Sequence, residues 1–169
     1  KLGDPLHPFE AFKASVCNLR PESRGHVRIK TEDSRVPPKI QPDYLSDPAD
    51  RKVAADAIKL TRKIVSSPAM KKFEPEEFKP GIEFASEDEL AREAGNIGTT
   101  IFHPVGTCKM GPASDKMAVV DERLKVYGLQ GLRVVDASVM PTITSGNTNS
   151  PTLMIAEKAS DMILKDVRN

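Results

Sequence analysis

Residues 99–111 read TTIFHPVGTCKMG, residues 132–141 read LRVVDASVMP, and residues 145–151 read SGNTNSP. These three segments set polar side chains among Gly, Pro and Thr residues, and the second opens with an apolar run that ends at Asp136. A surface loop needs neither a lone histidine between Phe102 and Pro104 nor an apolar strand that ends in Asp-Ala-Ser. We therefore expect the functional part of the chain to lie here.

Three helices are predicted around these segments. Asp47 and Pro48 suit the cap and the first position of one helix. Ser86 and Glu89 form a capping-box pattern for a second, which should end near Ala94 because Gly95 follows. The third should begin at Ser150 and Pro151. The helical periodicity predicts two buried faces, one with Val53, Ala54, Ala57, Ile58, Leu60, Thr61 and Ile64, the other with Ile155, Ala156, Ala159, Met162 and Ile163.

Short strands are predicted between the helices. Residues 17–19 could form one, and the alternation over residues 26–30 predicts another, with Val27 and Ile29 facing the core. The prolines in residues 36–42 should hold that segment extended. Further short strands are expected over residues 119–121, 124–126 and 132–135.

Composition excludes several classes of protein. With 25 basic and 24 acidic residues, the chain has no basic footprint for nucleic acid. The cysteines and histidines show neither the pairing of a disulfide framework nor the spacing of metal ligands. No transmembrane run or signal peptide is recognisable, so we expect a cytoplasmic or peripherally membrane-associated protein. The chain does not begin with Met, which suggests a processed product or a piece of a larger protein.

Together the three segments resemble the C-terminal signature of the glucose–methanol–choline (GMC) oxidoreductases, flavoenzymes that oxidise alcohols. The similarity is dense over residues 103–165 and points to the choline dehydrogenase-like branch. It is looser over residues 18–44, where NLRPESRGHV resembles the start of the family's substrate domain. The combined motifs are specific, although each alone is weak. The resemblance implies an α+β fold, with a mainly antiparallel sheet and flanking helices.

Two residues are candidates for catalysis. On the residue alone, a lone histidine such as His103 usually satisfies a backbone carbonyl. The resemblance implies instead that His103 faces the alcohol over the flavin and takes the hydroxyl proton while hydride leaves for flavin N5. Asn147 could be an ordinary turn residue. In the family, the matching position donates a hydrogen bond to the developing alkoxide.

Four residues are expected to contact FAD: Asp136, Ala137, Asn149 and Thr152. Asp136 follows a strand and could simply cap the next turn, but the resemblance implies that Asp136 and Ala137 touch the ribityl and pyrophosphate portion. Asn149 and Thr152 open the last helix, whose free N–H groups would stabilise negative charge on the reduced flavin. Every helix has such an end, so only the resemblance assigns this one to the cofactor.

The chain has no Gly-x-Gly-x-x-Gly turn, which an FAD-binding half requires. We therefore expect a C-terminal fragment of an FAD-dependent dehydrogenase for a primary, choline-like alcohol, with residues 1–102 on the substrate side and residues 103–169 facing the flavin. Alone it should be inactive, since it lacks its FAD domain. Apolar surface around Ile155, Met162 and Ile163 should then favour a homodimer. The alternative is a cofactor-free binding or interaction module built on the same fold.

Overall fold

Three α-helices are present in the computed structural model, which describes residues 7–168. Helix α1 spans Pro48–Val65, α2 spans Glu87–Ile97 and α3 spans Asn149–Arg168. A single-turn 3₁₀ helix lies at Lys71–Phe73 and another at Ala137–Val139. The predicted helices are confirmed, and α3 begins one residue earlier than expected.

The capping residues of α1 and α2 act as their sequences predict. The Asp47 carboxylate accepts a hydrogen bond from the Ala49 N–H at 2.8 Å, and the side chains of Ser86 and Glu89 complete both halves of the capping box. These bonds satisfy N–H groups that have no partner within the first turn. The predicted end of α2 at Gly95 is wrong, because the helix absorbs this glycine and continues to Ile97. A glycine inside a helix costs only about 1 kcal/mol relative to alanine.

The sheet is small. Strand β1 (His26–Arg28) pairs antiparallel with β2 (Lys39–Gln41), and Val27 lies opposite Ile40. Further along the chain, single bridges join Val120 to Val126 and Lys125 to Arg133, both antiparallel. The α+β class is therefore confirmed, although the strands predicted over residues 119–135 are reduced to isolated bridges.

The strand predicted over residues 17–19 is wrong. The Asn18 side chain donates instead to the Asp50 carboxylate of α1 at 3.0 Å, and the same carboxylate accepts the N–H groups of Glu22 and Ser23 at 2.9 and 2.7 Å. Asp50 is buried. Three donors thus hold this segment against the first turn of α1 as a loop.

Two buried apolar clusters form the core of the described residues. Between α1 and α2, Ala55, Leu90 and Ala91 are buried, with Ile58 and Phe84 packed against them. The second cluster lies in the C-terminal part, and its buried members are Val120, Leu124, Val139 and Ala159. The predicted division into residues 1–102 and 103–169 stays a prediction, and its ends at residues 1–6 and 169 lie outside the described residues.

Several side chains predicted to be buried are exposed. Val27 is 46% and Ile29 is 88% exposed, because no layer of the described residues covers that face of the β1–β2 ribbon. On α1, Ala55 is fully buried, whereas three of the residues predicted to be buried, Val53, Leu60 and Ile64, are exposed. The helix packs through its small residues, which let α2 approach closely.

The chain exposes an unusually large surface. Its accessible area is 13253 Å² for a mass of 18.5 kDa, whereas a compact monomer of that mass exposes about 8,200 Å². Among residues 7–168, no helix combines the length and apolar character that a membrane span requires. The excess of accessible area over that of a compact monomer is of the kind that another layer of protein covers.

Candidate functional site

The first and second sequence segments lie side by side. The Cys108 N–H donates to the Ser138 carbonyl at 3.0 Å, and the Met110 N–H donates to the Val139 carbonyl at 2.8 Å. Gly106 enters this pairing with φ +87°, and a Cβ there would lie 3.3 Å from the Met140 carbonyl oxygen. Both the conformation and the close approach favour glycine.

Asp136 turns the chain at the end of the apolar run in the second segment. Its Oδ1 accepts hydrogen bonds from the Ser138 N–H at 2.8 Å and from the Ser138 hydroxyl at 2.5 Å, so it caps the 3₁₀ turn Ala137–Val139. Asp136 therefore caps the turn that follows it, as expected for a carboxylate at the end of a strand. Asp136 is nevertheless exposed, so its other oxygen can accept a hydrogen bond from a ligand hydroxyl.

His103 is bound to the third segment. Its Nδ1 lies 2.9 Å from the Thr148 hydroxyl oxygen, and a hydrogen bond joins the two. His103 is half-buried, whereas Thr148 is only 8% exposed. Because the bond occupies Nδ1, the other ring nitrogen, Nε2, remains for proton transfer.

The backbone just before His103 is strained. Phe102 has φ +65°, a region that residues with a Cβ seldom adopt, and its ring is 77% exposed. The Phe102 N–H donates to the Thr100 hydroxyl at 3.1 Å, which helps to hold the turn. Strain of this kind persists where surrounding contacts fix the chain, and it is common at functional sites.

The start of α3 carries the remaining candidates. Asn147 and Asn149 are exposed on either side of Thr148. Thr152 donates both its N–H and its hydroxyl to the Thr148 carbonyl, at 3.1 and 2.6 Å. The Thr152 hydroxyl proton is therefore already used, and this side chain can offer a ligand only an acceptor.

The structure brings His103 to the segment that contains Asn147, with Thr148 as the link. Within residues 7–168, no hydrogen bond joins the His103 and Asn147 side chains directly. Thr148 was not predicted from the sequence. The available signal was a hydroxyl residue immediately before a helix, between two asparagines, but its partner lies 45 positions away in the chain.

An ionic cluster anchors the far end of α3. Asp166 accepts hydrogen bonds from Lys125 at 3.0 Å, from Arg133 and from Arg123. The bonds from Lys125 and Arg133 lower the pKa of Asp166 to about 2. The cluster ties the last turn of α3 to the segment that carries the second apolar cluster, and so fixes the helix whose other end faces His103.

The chemistry of these groups suits a flavin. Asp136 offers an acceptor for sugar-alcohol hydroxyls, and the first turn of α3 offers backbone N–H groups and a partial positive charge to a pyrimidine edge. Asn147 and Asn149 are exposed and carry amides that can both donate and accept. The donor set around His103 thus fits the polar parts of such a cofactor.

Comparison with known proteins places the chain among flavoprotein relatives. Residues 21–156 match a family model described as GMC oxidoreductase. Over 152 residues the chain is 48% identical to the oxygen-dependent choline dehydrogenase of Cronobacter sakazakii, covering 90% of this chain and 27% of that protein. It is 45% identical over 156 residues to the alcohol dehydrogenase [acceptor] of Pseudomonas putida, covering 92% and 28%.

Solved structures agree with these relatives. The chain resembles pyridoxine 4-oxidase from Mesorbium loti with a TM-score of 0.77 and 34% identity, covering 85% of this chain and 28% of that one. An FAD-dependent oxidoreductase from Chaetomium thermophilum gives a TM-score of 0.80 and 33% identity, covering 89% and 26%. The chain therefore spans roughly a quarter of the length of the proteins it matches.

Proposed function

Because the chain belongs to the GMC oxidoreductase family, we propose that it is the C-terminal part of an FAD-dependent enzyme that oxidises a primary, choline-like alcohol to an aldehyde. The observation that carries the proposal is the bond between His103 and Thr148, which holds a half-buried imidazole beside the segment of Asn147. FAD, when bound, supplies the acceptor for the substrate's hydride at its N5 atom. The similar proteins named choline dehydrogenase and alcohol dehydrogenase support this substrate class.

In this proposal His103 is the general base. The alcohol places its hydroxyl against Nε2, which takes the proton as the C–H bond breaks and the carbon gives up a hydride. Histidine is the side chain that most often carries out such a proton transfer in enzymes. The alcohol loses two electrons and two hydrogens in all, one as a proton on His103 and one with its electron pair on the cofactor.

Asn147 would stabilise the developing alkoxide. Its amide can donate a hydrogen bond to the substrate oxygen without competing for the proton that His103 removes. Such a preorganised donor acts where the transition state gains negative charge. Asn147 is exposed beside the buried Thr148, so its side chain is available to a substrate.

The cofactor contacts follow from the chemistry of the available groups. Asp136 and Ala137 would face the ribityl and pyrophosphate portion, with the exposed carboxylate accepting a hydroxyl. Asn149 and Thr152 would lie near the flavin ring, where the first turn of α3 favours negative charge. The rest of the cofactor would be held by the FAD-binding half, for which this chain has no glycine-rich turn.

The proposal is tested by joining the chain to an FAD-binding half and measuring oxidation of choline and other primary alcohols with an artificial electron acceptor. We expect yellow, flavin-bound protein that turns over, while the 169-residue chain alone binds no flavin and shows no turnover. Flavin-free, inactive protein after correct folding would favour the alternative, a cofactor-free interaction module, and would overturn the proposal.

The exposed face of α3 also supports a proposal about the isolated chain. Of the residues where apolar surface was expected, Ile163 is exposed, at 38%, whereas Ile155 and Met162 are half-buried. Further exposed apolar residues of α3 are Leu153, Met154, Leu164 and Val167. We expect this face to associate in a homodimer when no FAD-binding half covers it. Sedimentation should show dimer forming with concentration, and a monomer at high concentration would contradict this.

A further inference from the structure

Thr148 occupies an unusual capping position. It is the residue before α3, which begins at Asn149. A threonine there normally accepts a hydrogen bond from the N–H of the second or third helical residue. The third residue of α3 is Pro151, which has no N–H to donate. The sequence therefore removes one of the usual partners of this hydroxyl.

The Thr148 hydroxyl is hydrogen-bonded to His103. Its oxygen lies 2.9 Å from Nδ1, and the Thr148 side chain is shielded from solvent. The Thr148 carbonyl is held separately, by the N–H and hydroxyl of Thr152. Because both polar ends of Thr148 are fixed to α3 or to His103, the position of the hydroxyl is set by the helix rather than by a mobile side chain.

We propose that Thr148 is a positioning residue that keeps a proton on His103 Nδ1 and so leaves Nε2 bare to act as the base. This inference rests on the proposed function for its catalytic meaning. In a neutral imidazole only one nitrogen carries a proton, and the partner of one nitrogen selects the tautomer. With Nδ1 donating to Thr148, Nε2 presents its lone pair to the substrate hydroxyl.

A threonine hydroxyl can donate or accept, but a ring that acts as a base at Nε2 requires Nδ1 to donate. Once Nε2 has taken a proton, both nitrogens carry N–H groups, and Nδ1 can only donate. If Nδ1 also donates in the neutral ring, the same bond serves before and after proton transfer. If the hydroxyl donated to Nδ1 instead, the single proton of the neutral ring would be on Nε2. Nε2 could then not accept the proton of the alcohol.

The test measures the ring nitrogens directly. The complete, flavin-bound protein is labelled with ¹⁵N-histidine, and the His103 signals are assigned by their loss in His103→Gln. When the ring is neutral, we expect the Nδ1–H tautomer in the wild type. Thr148→Val, which removes the hydroxyl at nearly constant volume, should shift the population towards Nε2–H, and Thr148→Ser should retain Nδ1–H. The proposal would be overturned if the wild-type ring were protonated mainly on Nε2. It would also be overturned if Thr148→Val had the same tautomer population as the wild type.

Turnover provides a second readout. Thr148→Val should lower kcat by roughly fivefold to tenfold, the loss expected for one hydrogen bond, with KM and flavin content nearly unchanged, and Thr148→Ser should restore most of it. Equal kcat in Thr148→Val and wild type would also overturn the positioning role. A wild type that oxidises no alcohol would defeat the proposed function alone, since the tautomer measurement would still decide the role of Thr148.

Discussion

The α1–α2 pair and the region around His103 are organised in opposite ways. In the helical pair, the caps at Asp47 and Ser86 are local, and a small cluster around Leu90 provides the packing. Around His103, the chain is largely irregular and is held by bonds between residues far apart in sequence, such as the pairing of Cys108 with Ser138. The comparison contrasts a region held by local caps and helix packing with one where loops from distant segments meet, and the proposed chemistry lies in the second.

Substitution of His103 distinguishes the two regions most clearly, because it should affect turnover and not stability. In the complete, flavin-bound protein, His103→Ala should reduce kcat by about 10²- to 10⁴-fold, since it removes the proposed general base. FAD content and the unfolding midpoint should stay close to wild type, because His103 belongs to neither buried cluster. Steady-state kinetics and the flavin absorbance measure both. Turnover within twofold of wild type would show that His103 is not the general base.

Leu90→Ala tests the other side of the comparison. Leu90 is fully buried between α1 and α2, so its truncation should destabilise the fold by about 2–5 kcal/mol. Urea unfolding of the 169-residue chain measures the change. Leu60→Ala is the matched control on α1, where the side chain is 55% exposed, and it should cost less than about 0.5 kcal/mol. Equal losses in the two variants would show that the small cluster is not the core of this region.

Asp50→Asn examines a long-range polar contact within the helical region. Burial raises the pKa of Asp50, but hydrogen bonds from Ser23 and Glu22 and the charge of Arg24 outweigh it, and the net pKa is lowered. The ionised carboxylate therefore stabilises the fold above the unfolded pKa, and this stability is lost as the pH falls through the lower folded pKa.

At pH 7 the substitution should cost about 1.5–3 kcal/mol, the range for hydrogen bonds to a charged group. The loss should disappear in strong acid, where both forms are neutral. Asp56→Asn changes an exposed carboxylate on the same helix. It serves as the control and should change stability much less than Asp50→Asn does. A loss for Asp50→Asn that does not depend on pH would contradict the role of its charge.

The smallest effect is expected at Asp166. Its partners Arg123, Lys125 and Arg133 surround a carboxylate on the protein surface, where ion pairs contribute little. Asp166→Asn should lower the free energy of unfolding only slightly at low salt. The difference from wild type should shrink as salt is added, because the charges are screened. A loss that salt leaves unchanged would show that packing, rather than charge, secures the end of α3.

The same contrast explains what could be predicted from sequence. The helix starts at Asp47 and Ser86 were predictable because a cap and its partners lie within a few residues. The exposure of Val27 and Ile29 was not, because alternation shows that a face is apolar without showing what covers it. The bond between Thr148 and His103 could not be predicted for a similar reason, because only the pairing of distant segments brings the two residues together.

In the proposed reaction, His103 and Asn147 meet at one reacting oxygen. A crystal structure of the complete, flavin-bound enzyme with an unreactive alcohol analogue would test this directly. We expect His103 Nε2 and Asn147 Nδ2 each to lie about 3 Å from the analogue's oxygen, within hydrogen-bond distance. An analogue bound in a productive pose against flavin N5, with either side chain turned away from that oxygen, would contradict the account.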